Sequence, residues 1–256
     1  MAHEPKDQLG RPYHIRLQKK DVGRVALLPG DPGRVPMIAE RLSGPKPLGS
    51  NREYAAYGGK VGGEKVVVVS TGIGGPSTAI AVEELARLGV KVMIRVGTCG
   101  AIQPSIKVGS LIIADAAVRM DGTSLQYVHA GYPAAAAPGV VAALSGAAAS
   151  LGKDSVVGIS ATTDSFYVGQ GRRGFGGYLP PWKANIVDEL RSARVLCFEM
   201  ESATLFTLGR LFGISTGAVF AVVANRVTND FRVEAGIDDA IDVAVEAVRN
   251  LKKRSV

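Results

Sequence analysis

Three stretches of this chain carry residue types that could do chemistry on a small anionic molecule. The first is Lys91 to Gly100, KVMIRVGTCG. Val92, Met93 and Ile94 form an apolar run, Arg95 interrupts it, Val96 resumes it, and Gly97-Thr98-Cys99-Gly100 ends it. An arginine inside a buried strand is costly unless an anion meets it, and its fork suits a phosphate or carboxylate. The bland alternative is a structural ion pair. The second stretch, Thr162 to Arg173, holds Phe166, Gln170 and Arg172. An aromatic ring, an amide and a guanidinium suit a flat polar ring: Phe166 to stack, the other two to bond its edge. A solvated loop is the plain alternative. The third is Glu199-Met200-Glu201-Ser202 at the start of a helix. Two acids there could bond sugar hydroxyls, and a helix N-terminus tolerates their charge. A simple capping pattern would look the same.

Positioning such groups requires strands that end together. Arg24 to Leu28 reads as a strand that ends in Pro29-Gly30-Asp31-Pro32-Gly33-Arg34. Lys65 to Val69 reads as a second, ending in Ser70-Thr71-Gly72-Ile73-Gly74-Gly75-Pro76. Lys91 to Gly100 is the third. Glycine loops before helix starts expose free N–H groups to an anion, and Arg34 falls in such a first turn. In parallel sheets ligands gather at strand ends, so the three loops are expected to share one crevice. None is a Walker loop, and none gives G-x-G-x-x-G followed by an acidic strand end, which argues against a dinucleotide-binding oxidoreductase.

Elsewhere apolar runs alternate with helical patterns, which predicts an α/β class with a central mixed β-sheet flanked by helices. Further strands are expected over Leu111–Val118, Val156–Ser160, Val195–Phe198 and Thr216–Ala224. Helices are expected from Arg34 to near Gly44, from Pro76 or Ser77 to Gly89, and over Ala134–Leu151, Pro181–Arg191 and Ser202–Phe212. A last helix runs from Ala235 or Ile237 to Lys253. Gly58-Gly59 and Gly62-Gly63 read as turns, Asn51-Arg52-Glu53-Tyr54 as holding an exposed ion pair, and Asp121 to Pro133 as a loop around His129. Residues 1–256 read as one domain, with 1–13 as a flexible tail that includes His3. Trp182 follows two prolines and is expected to pack at a helix start.

Composition narrows the class. With 256 residues and 46% apolar content, the chain can bury a sizeable core. The charge of +7 comes from scattered Lys and Arg, with short clusters only at Lys19-Lys20 and Lys252-Lys253-Arg254. No basic stripe interleaved with aromatics points to nucleic acid. No apolar run is long enough to span a membrane, and the N-terminus lacks a signal-peptide pattern. Cys99 and Cys197 read as buried thiols of a cytoplasmic protein.

Together these stretches resemble the uridine phosphorylase branch of the nucleoside phosphorylase family, whose members are trimeric or hexameric. Five motifs carry the resemblance in order: GDPGRV at 30–35, STGIGGPSTAIAVEEL at 70–85, RVGTCGAIQP at 95–104, FYVGQGR at 166–172 and FEMESAT at 198–204. The resemblance runs from about His14 to the last helix. It implies phosphate bound by Gly30, Arg34, Arg95 and Thr98, with Arg52 from a neighbouring subunit. It implies ribose bound by Glu201, Met200 and Glu199, with His14 reaching a neighbour's substrate. The base would lie against Phe166, Cys99 and Gly100, bonded by Gln170 and Arg172, with Arg226 nearby. Arg95, Glu201, Gln170 and Arg172 would carry the catalysis. Some members hold a monovalent cation such as K+ at a dimer interface, at residues matching Glu53, Ile73 and Ser77. Cys99 is a departure, since threonine is common there, and GFGGYLPPWK after Arg173 matches the family poorly.

The implied reaction is the reversible phosphorolysis of uridine, and of deoxyuridine or thymidine, to uracil or thymine and the pentose 1-phosphate. Inorganic phosphate is then a substrate and no cofactor is required. The implied assembly is a homohexamer built as a trimer of dimers, since His14 and Arg52 would act in trans. Purine-cleaving relatives usually carry an aspartate after the last strand, where this chain has Asn225 followed by Arg226. The rivals are a purine nucleoside phosphorylase, a hydrolytic nucleosidase, which would not need three phosphate-binding arginines, and a non-catalytic nucleoside-binding sensor.

Overall fold

The computed structural model describes residues 4–253. Its eleven strands form one mixed sheet between two helical layers. Four parallel strands make its spine: β1 (Val25–Pro29), β4 (Glu64–Val69), β5 (Val92–Ala101) and β10 (Ser215–Asn225). All four are apolar on both faces, as parallel strands covered by helices must be. The antiparallel strands β2 (Ser43–Asn51) and β3 (Tyr54–Val61) extend one edge beside β4.

Beyond β5 the sheet closes on itself. β10 pairs antiparallel with β6 (Leu111–Met120), and β6 pairs parallel with β8 (Ser155–Thr163). β8 pairs parallel with the short β9 (Cys197–Glu199), which runs antiparallel back along the end of β5. β9 therefore carries the chain from the far side of the ring toward Arg95. Helices α2 (Gly75–Leu88) and α5 (Ser202–Phe212) cover one face around Val82, Leu85, Leu205 and Phe206. Helices α1 (Arg34–Ala39), α3 (Pro138–Ser150) and α6 (Ile237–Lys253) cover the other around Ile38, Leu144, Ile241 and Val248. A smaller cluster under α4 (Ile186–Ser192) packs Ile102 and Phe198.

Several expected boundaries move, each for a local reason. Gly58-Gly59 is no turn but lies inside β3, where a Cβ on Gly59 would sit 2.7 Å from that of Leu42. The β2–β3 turn falls instead at Arg52-Glu53, with Arg52 in the left-handed region at φ 54°. Ala134–Ala135 is a two-residue strand, β7, against β6. The helix after it waits for Pro138 because a residue before proline stays extended, as Ala137 does. The Pro181–Arg191 helix splits into a single turn, Pro181–Lys183, and α4, and Trp182 stays exposed. A two-residue strand, β11 (Asp230–Phe231), folds against β10 with no sequence signal.

The segment expected as a tail holds a closed turn at residues 7–11, in which the Asp7 carboxylate accepts from Leu9 N at 2.9 Å and Arg11 Nε at 2.8 Å. His3 and Arg254 lie outside the described residues. The loop around His129 is clamped by Arg119, which donates to the carbonyls of His129 and Tyr132 at 2.7 Å each. None of the described helices is long and apolar enough to cross a membrane.

Candidate active site

The glycine loops after β1, β4 and β5 do open onto one crevice, a cavity of about 780 Å³. Of the eighteen residues named as site candidates, only His14, Arg52 and Arg226 do not line it.

Its inner wall is built on Arg95. β5 carries this side chain into the core with 7% of its surface exposed, and two carboxylates meet it. Glu199 Oε2 lies 3.3 Å from Nε, and Glu201 Oε2 pairs with Nη2. The pair with Glu199 is a charge contact without hydrogen-bond alignment, so Nε and Nη1 are both buried with no hydrogen-bond partner. Nη1 lies 3.6 Å from the position a Cβ on Gly30 would take, so it faces the first glycine loop. Unpaired buried guanidinium nitrogens are costly and call for an anion. Arg34, Thr98 and Gly30 line the same part of the wall. Burial lowers the Arg34 guanidinium below its ordinary range; Asp31 opposes this and the nearby Arg95 charge adds to it.

The two glutamates are not equivalent. Glu201 accepts from Gly74 N at 2.7 Å and from Met200 N at 3.3 Å. Burial raises its carboxyl above the ordinary 4.5; Arg95 pulls it down and Glu199 pushes it up. Glu199 has no exposed side-chain surface. Its Oε2 accepts from Glu201 N, Ser202 N and Ser202 Oγ at 2.9 Å each, and its Oε1 takes the Thr162 hydroxyl. Glu199, expected beside the ribose, does line the cavity, but its oxygens are engaged within the protein. All its oxygens face inward, onto the N-terminus of α5, Thr162 and Arg95.

The other end of the cavity is cationic. Arg172 Nη1 donates to Gln170 Oε1 at 2.5 Å and to Phe166 O at 2.7 Å, and its guanidinium lies 4.3 Å from the Phe166 ring centroid. Arg226, behind the lining, donates to Gln170 O and lies 5.6 Å over the Phe198 ring. Burial, with the Arg172 charge beside it, lowers Arg226 to about 10. No carboxylate pairs with either guanidinium among the described residues.

Cys99 lines the cavity beside the buried Cys197, whose thiol burial pushes well above its ordinary value. Asn225 is buried, and its amide donates to Gln103 O at 2.9 Å and Ile106 O at 2.8 Å. Its oxygen accepts from Val227 N and Thr228 N.

His14 and Arg52 lie elsewhere, and on one patch. His14 is held by Glu84, Nδ1 to Oε1 at 2.8 Å, and its carbonyl accepts from the amide of Asn51 at 2.8 Å. Arg52 follows Asn51 on the exposed β2–β3 turn. Glu53, Ile73 and Ser77 sit at the mouth of the cavity, with Ile73 78% exposed.

Sequence reasoning missed Phe198, Phe231 and Val223-Ala224 of the lining. Phe198 reads as an ordinary core residue, and Phe231 enters only because β11 folds back. Val223 and Ala224 are aimed inward by a bulge in β10, where its register against β5 shifts.

A model of the phosphorylase superfamily matches residues 24–255. A uridine phosphorylase from Thermococcus kodakarensis is 54% identical over 250 residues, which cover 98% of this chain and 90% of the relative. A uridine phosphorylase from Haemophilus influenzae is 41% identical over 92% of this chain and 95% of its own. A guanosine phosphorylase from Halorubrum lacusprofundi is 35% identical, with 94% of this chain and 93% of the relative covered. A match of this extent takes in the strands, loops and helix starts that form the cavity: the chain belongs to the phosphorylase superfamily.

Proposed function

We propose that the chain is a pentosyltransferase that catalyses the reversible phosphorolysis of uridine to uracil and ribose 1-phosphate. One observation carries this reading. A single cavity has unpaired buried nitrogens of Arg95 at one end and Gln170 with Arg172 at the other, backed by Arg226. The first suits phosphate and the second the carbonyl-rich edge of uracil. The similarity to two uridine phosphorylases supports it.

A phosphate oxygen, held by Arg95, Arg34 and Thr98, bonds to C1′ as the C1′–N1 bond breaks. The electron pair leaves with the base. The sugar becomes cationic on the way, and the carboxylate of Glu201, with the Met200 backbone, favours that charge at the ribose hydroxyls. Arg172 and Arg226 meet the negative charge growing on uracil, oriented through Gln170 and stacked against Phe166. No protein nucleophile is needed, and the protein's main task is to align the partners. Asn225 supports a pyrimidine substrate, because its amide is fully engaged with backbone and has no proton to give to a purine ring nitrogen.

The patch holding His14 and Arg52 completes a neighbour's cavity in this reading, so the active form is a homo-oligomer, a hexamer built as a trimer of dimers. Glu53, the Ile73 carbonyl and Ser77 offer an all-oxygen donor set with Ser77 Oγ 3.2 Å from Ile73 O. That chemistry fits a hard monovalent cation such as K+, whose part would be to tie subunits together. The reaction itself needs no cofactor, and the proposed compartment is the cytoplasm.

The test is base release from uridine and from inosine, each with and without phosphate. Phosphate-dependent uracil release with little from inosine is expected. Preference for inosine would overturn the base assignment, release without phosphate would indicate a nucleosidase, and no release from either would leave a nucleoside-binding sensor.

A further inference from the structure

Thr162 lies outside the lining of the cavity and touches none of the groups proposed to meet substrate. It sits on β8 directly opposite Glu199 of β9. Its hydroxyl accepts from Ala203 N, in the first turn of α5, at 2.9 Å. Because that lone pair is engaged by the helix amide, its one hydrogen turns to Glu199 Oε1. Glu199 Oε2 accepts from the two preceding amides, Glu201 N and Ser202 N, and from Ser202 Oγ, and stands 3.3 Å from Arg95 Nε. One carboxylate thus spans β8, the N-terminus of α5 and Arg95.

We infer that Thr162 is a positioning residue for phosphate, acting through Glu199 to aim the guanidinium of Arg95. The inference rests on the phosphorolysis proposed above. Arg95 meets Glu199 by charge without an aligned hydrogen bond. With Nη2 anchored on Glu201, the tilt of its plane about that contact depends on where the Glu199 Oε2 atom is held. Remove the Thr162 hydroxyl and Oε1 loses its donor, so the carboxylate is held at Oε2 alone, by Glu201 N, Ser202 N and Ser202 Oγ, and can tilt about that anchored oxygen. Tilting changes the face that Oε2 presents to Nε, and Nη1 is then aimed less well at the Gly30 loop. Glu201 keeps Gly74 N and Met200 N, neither of which depends on Thr162. The nucleoside side of the site should therefore be spared.

The experiment is steady-state phosphorolysis of uridine by Thr162→Val and Thr162→Ser, with phosphate and uridine varied in turn. In Thr162→Val the KM for phosphate should rise about tenfold, the weight of one hydrogen bond to a charged group, while the KM for uridine changes less than about twofold. Thr162→Ser, which keeps both hydrogen bonds, should restore the phosphate KM. If Thr162→Val does not fold, Thr162→Ala removes the hydroxyl without branching and is held to the same values. An unchanged phosphate KM in the folded variant would overturn the inference. So would equal losses for both substrates, which would mean only that α5 had shifted. A wild-type protein without phosphate-dependent release would instead refute the proposed reaction, and it is measured first.

Discussion

Replacing Arg95 with lysine isolates what its fork contributes. The side chain is 7% exposed and stands between two carboxylates, so Arg95→Ala would strand both charges. Breaking a buried pair that way typically costs about 3–5 kcal/mol, so loss of activity in the alanine variant would not separate a lost contact from a lost fold. Lysine keeps the positive charge but offers a single ammonium. It can stay with Glu199 or Glu201, yet it cannot also present a nitrogen to the Gly30 loop as Nη1 does. What is lost is at least one hydrogen bond to phosphate, about 1.5–3 kcal/mol for a charged group. At about 1.4 kcal/mol per tenfold change, kcat/KM for phosphate should fall between about tenfold and a hundredfold. The assay is initial uracil release against phosphate concentration at saturating uridine, with thermal melting to confirm folding. A folded Arg95→Lys protein with the wild-type dependence on phosphate would refute the assignment of Nη1 to the anion.

Three other outcomes follow from the geometry. Burial raises the Glu201 carboxyl, so it gains its proton at a higher pH in the folded chain than in the unfolded one. Between those two values folding grows more favourable as pH falls, while activity declines because the ribose loses its carboxylate. At saturating phosphate the acid limb of kcat/KM for uridine should therefore lie above pH 4.5, and Glu201→Gln should abolish that limb. Asn225→Asp should not create purine cleavage, although it restores the residue type of purine-cleaving relatives. A carboxylate there would face the carbonyls of Gln103 and Ile106 and lose two donors, about 1–3 kcal/mol for each unmade bond. A lower melting temperature with no inosine cleavage is expected, and inosine cleavage would refute the structural role of the amide. Gly59→Ala would press a methyl to 2.7 Å from Leu42 Cβ, an overpacking cost of about 1–3 kcal/mol that denaturant titration would reveal; unchanged stability would mean that Leu42 yields freely.

The cavity was legible in the sequence because its loops are local. A strand, a glycine turn and a helix start are contiguous, and three of them in order predict a shared crevice. What the sequence could not convey is direction. Glu199-Met200-Glu201 reads as two equivalent acids, but β9 ends between them. Glu199 still follows the strand's alternation and points inward, whereas Glu201 already stands at the helix cap. Thr162 was hidden by a boundary. Ending the strand at Ser160 put Thr162 in a polar loop; β8 in fact continues to Thr163 and brings Thr162 into register with Glu199. The two-residue strands β7 and β11 depend wholly on their partners, so no local pattern marks them.

The paired glutamates also explain how one arginine among carboxylates can remain an anion site. Counted as bare charges, Glu199 and Glu201 outweigh Arg95. Glu199, however, is already met by two amides, two hydroxyls and the positive end of α5. Its negative charge is largely satisfied before Arg95 arrives, so it orients the guanidinium more than it neutralises it. Glu201 is held back by Gly74 N at the opening of α2, another helix start. Arg95 and Arg34 therefore keep a net pull on an anion, the phosphate of the proposed reaction, while the Glu201 side chain lines the part of the cavity where that reaction places the sugar. At the far end Arg172 lines the cavity and Arg226 stands behind it, with no acid between them. In the proposed reaction the cavity thus offers positive charge to the nucleophile and to the leaving group, and negative charge to the sugar, the alternation that bond exchange at C1′ requires.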